Sequence, residues 1–206
     1  MKVESWTVPK IWEGGECFVL GGGPSVNNLD LPRLHDKRVI AVNNSYQLGP
    51  WDVLFYGDCR WRELHTQGLA DFTGLKVHGC PHAEGIGDIK RVHRHHTPYG
   101  IDRRPNELCW NRSSGACAIN LAVHFGVKRI VLLGFDMRKV DGETNYHRDH
   151  PKHRMKSSKV PYPYPSFLEP FPVIARDLKR LKVECVNATP GSALDVFPIV
   201  EPDEVM

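Results

Sequence analysis

No stretch of the 206-residue chain approaches the roughly 18–20 consecutive apolar residues that a membrane-spanning helix needs. The segment from Met1 to Gly15 carries Lys2, Glu4, Lys10 and Glu13, so it lacks the unbroken apolar stretch of a signal peptide. Both absences point to a cytoplasmic protein without a membrane span. Net charge is scarce too: 27 basic against 24 acidic residues leave +3. Nucleic acid is therefore not required as a partner, because phosphate-backbone binding shows as clustered excess charge. A small anionic ligand is compatible with this balance, and the oligomeric state is left open. No CxxC pair occurs among the six cysteines, Cys17, Cys59, Cys80, Cys109, Cys117 and Cys185. Cys17, Cys117 and Cys185 sit within apolar patterns and read as reduced packing residues, since disulfide frameworks belong mainly to small secreted domains.

What is present is a globular composition, 41% hydrophobic and 25% charged. It excludes a disordered chain and suits one domain over residues 1–206. Short apolar runs alternate with helical patterns, the signature of a parallel sheet with helices on both faces. The predicted strands are Cys17–Leu20, Arg38–Val42, Val53–Tyr56, Leu75–His78, Arg129–Leu133 and Glu184–Asn187. A helix is predicted over Ser114–Phe125, with Ser113 or Ser114 as N-cap and Gly126 as the stop. A second runs from Phe167 to Leu181, where Phe167, Phe171, Ile174, Leu178 and Leu181 form one apolar stripe. Two long polar stretches, Gly79–Leu108 and Met137–Ser166, break the alternation. Both are expected at the carboxyl edge of the sheet, where open α/β sheets bind ligands.

Gly21-Gly22-Gly23-Pro24-Ser25 follows the first strand. Glycines let a phosphate approach main-chain N–H groups, and a helix beginning at Pro24 adds a favourable dipole. No Lys-Ser or Lys-Thr follows, so this is not a Walker A loop, and Val26 occupies the third glycine position of a dinucleotide fingerprint. The second strand ends in Asn43-Asn44 rather than in an acid for a ribose, which weakens an NAD or S-adenosylmethionine reading. Asn43, Asp58 and Asp136 all fall at strand ends. The amide suits a base or ribose, and Asp58 with Asp136 suits Mg²⁺ between substrate phosphates. The bland alternative is that each caps a turn. Ser114 opens the apolar helix, whose N–H groups could also face an anion.

The segment Tyr146-His147-Arg148-Asp149-His150-Pro151-Lys152-His153 is the most reactive-looking in the chain. An imidazole suits removal of a hydroxyl proton near neutral pH, which makes His147 and His150 candidate bases. Arg148 suits a leaving phosphate. Zinc on His147, His150 and His153 is disfavoured, because Pro151 interrupts any single helix presenting them. Zinc on Cys80, His82 and the His93-Arg94-His95-His96 run is a minority reading beside a lid over an anionic ligand.

Taken in order, the glycine loop, Ala41-Val42-Asn43-Asn44, Ser113-Ser114-Gly115-Ala116 and Ile130-Val131-Leu132-Leu133-Gly134-Phe135-Asp136 resemble one superfamily. It holds the bacterial lipooligosaccharide sialyltransferases and the MptE-like hydroxymethylpterin pyrophosphokinases. Asp58-Cys59-Arg60-Trp61 and Gly142–Pro151 are most similar to its phage- and prophage-encoded members. The resemblance implies a Rossmann-like nucleotide-binding domain, with Gly21, Gly22, Gly23, Pro24, Ser25, Asn43, Ser114 and Asp136 at the nucleotide. In the sialyltransferase branch it implies a nucleotide-sugar donor, a loop histidine as base and no required metal. In the pyrophosphokinase branch it implies ATP and Mg²⁺. The reading that follows is a glycosyltransferase moving a sugar to a hydroxyl acceptor. A diphosphotransferase and a non-catalytic nucleotide-binding accessory protein are the alternatives.

Overall fold

The computed structural model describes residues 5–80, 87–147 and 164–206. Its strands are β1 Glu16–Leu20, β2 Val39–Val42, β3 Val53–Tyr56, β4 Leu75–His78, β5 Lys90–Arg91, β6 His93–His95, β7 Glu107–Cys109, β8 Arg129–Leu133 and β9 Glu184–Asn187. Seven of them form one sheet in the order β5-β4-β3-β2-β1-β8-β9, with every pairing parallel. The fold is therefore the expected Rossmann-like α/β architecture. After β1 the chain builds outward through β2, β3 and β4, then returns to place β8 on the other side of β1. That reversal opens a crevice beyond the carboxyl ends of β1 and β8, the usual ligand position in such sheets.

Both sheet faces are covered, and the strand sequences show why. Cys17, Val19, Ile40, Val53, Phe55, Ile130 and Leu132 enter one apolar cluster. Their alternating neighbours Phe18, Leu20, Val39, Ala41, Leu54, Val131 and Leu133 enter the other. Strands buried on both faces read as unbroken apolar runs rather than as alternation. On the first face lie the helices α3 (Ser114–His124) and α5 (Phe171–Leu181). On the second lie 3-10 turns and the short helices α1 (Cys59–Leu64) and α2 (Thr66–Asp71). Among the described residues no helix is long and apolar enough to cross a membrane.

Two local expectations change. The helix predicted over Phe167–Leu181 is two: α4 (Tyr164–Leu168) and α5, with Pro170 as the N-cap of α5. Proline is tolerated at a helix start, where its missing N–H costs nothing, but not inside a helix. The segment after the glycine loop is a 3-10 turn, Pro24–Asn28, not an α-helix. Cys17, Cys117 and Cys185 are free and buried, as their apolar surroundings predict, and so is Cys109, while Cys59 and Cys80 form a disulfide. Neighbouring β3 and β4 bring the start of α1 beside the end of β4, with the two Cα atoms 5.6 Å apart. No sequence spacing signals that approach.

His78, at the end of β4, is wholly buried. Its Nδ1 accepts from the Cys80 N–H at 3.2 Å, and its ring stacks on Tyr56 with centroids 5.5 Å apart. Nε2 is buried with no hydrogen-bond partner among the described residues. Burial, aided by positive Arg62 and Arg91, pushes the imidazole down from 6.5 to about 4. The unfolded chain therefore binds this proton first as pH falls. The stability of the neutral ring is complete above pH 6.5, declines between 6.5 and 4, and levels off below. The shift corresponds to about 3 kcal/mol. Urea titrations across that window should show a shallower acid loss in His78→Gln than in the wild type; equal slopes would remove His78 as the cause.

Candidate functional site

A cleft of about 600 Å³ occupies the crevice at the switch between β1 and β8. Its floor is the glycine loop. Gly21 N donates to Leu133 O and Gly23 N to Gly134 O, which continues the β1–β8 ladder past the strands. The buried Ser45 Oγ donates to Gly21 O at 2.7 Å and anchors the loop from β2's side. The three glycines do different work. A Cβ at Gly21 would lie 2.7 Å from Gly134 O, and a Cβ at Gly23 would overlap the Asp136 carboxylate. At Gly22 the nearest atom to a Cβ is Asn145 Oδ1, at an ordinary 3.6 Å. Gly21 and Gly23 thus permit loop-to-loop packing, while Gly22 is the bare backbone facing the cleft.

Asp136 is buried directly behind this loop. Its carboxylate accepts from Ser25 Oγ at 2.8 Å and from Ser25 N at 3.3 Å. Burial raises its pKa, and the two Ser25 bonds oppose that rise. The bonds make Asp136 the cap of the turn Pro24–Asn28. Asp58 also caps: it accepts from Arg60 N at 2.9 Å at the start of α1, with its side chain exposed at the cleft. Neither acid belongs to a group of three or more metal-ligating side chains among the described residues.

Asn43 sits at the end of β2 in the left-handed region, φ 51°, which asparagine tolerates better than most residues. It lines the cleft, and its Oδ1 is buried with no hydrogen-bond partner among the described residues. Its neighbour Asn44 has a packing role instead, accepting from Trp61 Nε1 at 2.6 Å. Such strain with an unsatisfied acceptor recurs at ligand sites.

The opposite wall is the start of α3. Ser113 caps it, accepting from Ala116 N at 3.2 Å, so Ser114 and Gly115 present the first turn to the cleft. That helix is buried on nearly every side, as its composition predicts. Its dipole therefore points into the crevice through a low-dielectric medium.

Two cleft cations were not singled out as site residues in the sequence. Arg94 comes from β6, which pairs in parallel with β7 as a separate two-stranded ribbon. Its NH1 donates to Gly57 O at 3.0 Å and its guanidinium lies 5.6 Å from the Trp110 ring centroid. Burial pushes its pKa down, and its Nε has no partner among the described residues. Arg112 donates to Tyr99 OH at 2.6 Å and pairs with Glu169 at 2.9 Å. The basic His93–His96 run was the only sequence signal for this wall.

His147 also lines the cleft, near Thr144 and Asn145. The Tyr146 N–H donates to Gly22 O at 3.1 Å, which holds this segment over the glycine loop. Arg148, His150, His153 and His82 lie outside the described residues.

No family model matches the chain, and neither does any curated protein. Solved structures with a similar fold do exist. One is the sialyltransferase CstII from Campylobacter jejuni in complex with cytidine-5'-monophosphate: 15% identity over 93% of this chain and 86% of that one, TM-score 0.54. Another is the monofunctional α-2,3-sialyltransferase Cst-I from the same organism: 16% identity, 90% and 80% coverage, TM-score 0.58. A third is the MAf glycosyltransferase of Magnetospirillum magneticum AMB-1: 12% identity, all of this chain but 37% of that one, TM-score 0.66. At these identities the likeness establishes the fold.

Proposed function

We propose that the protein is a sialyltransferase-like glycosyltransferase that takes a sugar from a nucleotide donor to a hydroxyl acceptor. The observation that carries this reading is the convergence in one cleft of a bare glycine backbone, an unsatisfied amide oxygen and a helix N-terminus. The first and third suit the donor's phosphate, and the amide suits its ribose or base. That similar folds include sialyltransferases, one of which, CstII, has structures holding cytidine nucleotide ligands, supports the choice of donor.

The transfer balances as one displacement. The acceptor oxygen forms a bond to the anomeric carbon while the bond from that carbon to the phosphate oxygen breaks. The acceptor proton passes to His147 or His150, and the nucleotide leaves with the electron pair. Arg94, Arg112 and the α3 N–H groups meet the leaving charge. Arg148 is assigned to the same anion. Asp58 and Asp136 would hold Mg²⁺ if the reaction were a diphosphoryl transfer from ATP. The Ser25 bonds to Asp136 favour the metal-free reading.

Calorimetric titration with cytidine monophosphate, its sugar conjugates and ATP, each with and without Mg²⁺, tests the proposal. Metal-independent cytidine nucleotide binding is expected. Binding of ATP alone, and only with Mg²⁺, would favour the diphosphotransferase. Asn43→Ala should weaken nucleotide binding by about 1–3 kcal/mol, the usual cost of losing a buried partner. Wild-type affinity in that variant would reduce Asn43 to a turn residue.

A further inference from the structure

Away from the glycine loop, the β6–β7 ribbon brings three metal-ligating atoms to one point. They are His95 Nε2, Asp102 Oδ2 and Cys109 Sγ, all within 4.8 Å of one another. His95 and Cys109 face each other across the ribbon, and Asp102 comes from the loop between the two strands. We propose that this cluster binds a zinc-class divalent cation, with solvent completing the coordination.

The hydrogen bonds around the cluster argue for a metal. His95 Nδ1 lies 3.1 Å from Thr97 O, a group that can only accept, so Nδ1 carries a proton. In the neutral ring, Nε2 is then a lone pair, and it faces a carboxylate oxygen at 2.7 Å. Two lone pairs at that distance need a proton or a metal ion between them, and Arg104 NH2 already donates to the same Oδ2 at 2.6 Å. A proton would satisfy the imidazole–carboxylate pair, with the Cys109 thiol in contact with Nε2 at 3.7 Å. A metal serves all three. A histidine that ligates through one nitrogen and donates from the other to a backbone carbonyl is the usual arrangement.

The supports are also those of a ligand set. Arg104 grips Asp102 with its backbone N–H, Nε and NH2 at 2.8, 3.1 and 2.6 Å. Asn120, buried in α3, accepts from the backbone N–H of both Asp102 and Cys109 and donates to Asp102 O. Tetrahedral bonds of 2.0–2.3 Å separate ligand atoms by roughly 3.3–3.8 Å. The thiol and imidazole already sit in that range, and the carboxylate needs to withdraw by roughly half an ångström. A thiolate with an imidazole and one carboxylate selects zinc-class ions over magnesium or calcium. Arg94 and Trp110, the cleft residues, are the chain neighbours of His95 and Cys109. The cation would fix the ribbon that presents them. This site is independent of the nucleotide reading.

The test is titration of the full-length chain, its Cys59–Cys80 disulfide intact, with Co²⁺, followed by its sulfur-to-cobalt absorption, then displacement by Zn²⁺ against a chelator. One equivalent with a thiolate band is expected. Cys109→Ser should abolish the band, and Cys185→Ser, in the other sheet, should keep it. His95→Gln and Cys109→Ser should each weaken Zn²⁺ by more than the roughly 10–100-fold typical of losing an outer partner of a ligand. Arg104→Ala should fall within that range. If Cys109→Ser fails to fold by circular dichroism, His95→Gln carries the decision. Absence of stoichiometric binding, a band that survives Cys109→Ser, or Zn²⁺ affinity unchanged in His95→Gln would each overturn the proposal.

Discussion

Gly22→Val should fold normally and lose nucleotide binding, whereas Gly23→Val should lose stability first. The two adjacent glycines separate because they face opposite ways. At Gly22 a Cβ meets only Asn145 Oδ1 at 3.6 Å, and its φ lies outside the left-handed region, so the fold accepts a side chain. That side chain then stands where a phosphate would approach the backbone. Affinity should drop at least tenfold, about 1.4 kcal/mol, with Gly22→Ala intermediate. At Gly23 the same carbon overlaps the Asp136 carboxylate and lies 2.6 Å from Gly134 O. The Ser25–Asp136 cap must break, and overpacking of this kind costs about 1–3 kcal/mol. Each kcal/mol lowers Tm by roughly 2–4 °C in a chain of this size. Thermal melts and nucleotide titrations of both variants check the contrast. A folded Gly22→Val protein with wild-type affinity would remove the glycine loop from the ligand site.

The legibility of the fold follows burial. Strands covered on both faces leave apolar runs, unbroken in Val53–Tyr56 and nearly so in Arg129–Leu133, and those two are predicted to the residue, as are the more mixed Leu75–His78 and Glu184–Asn187. The β6–β7 ribbon has no such signal. The three residues of β6, His93-Arg94-His95, are polar, and the pairing depends on partners far away in sequence. Ser5 Oγ, for example, accepts from His93 N and donates to Asn106 O. Phe167 was misread for a related reason. Its spacing continues the stripe of α5, but the break at Pro170 moves it onto α4, where it lines the cleft.

The candidate site divides in the same way. Gly21 and Gly23 announce themselves because the loop packs too closely for a Cβ, and Asn43 because few residues tolerate its left-handed backbone. Cations that reach a cleft on long side chains do not. Arg94 and Arg112 reach it through β6 and through a left-handed residue before α3, with φ 59° at Arg112. Asp136 shows the converse limit. Its position after β8 was legible, yet the bonds to Ser25 that occupy it appear only once the loops are placed.

His147→Ala should slow turnover by about 10²–10⁴-fold while leaving nucleotide affinity intact, because a positioned base acts on the acceptor proton and not on the donor. His147 lines the cleft, on a segment tied to the glycine loop by the Tyr146 N–H bond to Gly22 O. One feature of the chain favours it over His150. In the sequence, Pro151 directly after His150 restricts that residue to extended conformations. A charge-stabilising residue should behave differently. Arg94→Ala should both slow transfer and weaken the nucleotide, since the guanidinium acts on the phosphate in the ground state and in the transition state. Single-turnover rates beside titrations of the same proteins separate the two roles. Full activity in both His147→Ala and His150→Ala would end the base assignment. Loss of affinity in His147→Ala with an unchanged rate at saturation would make His147 a donor contact instead.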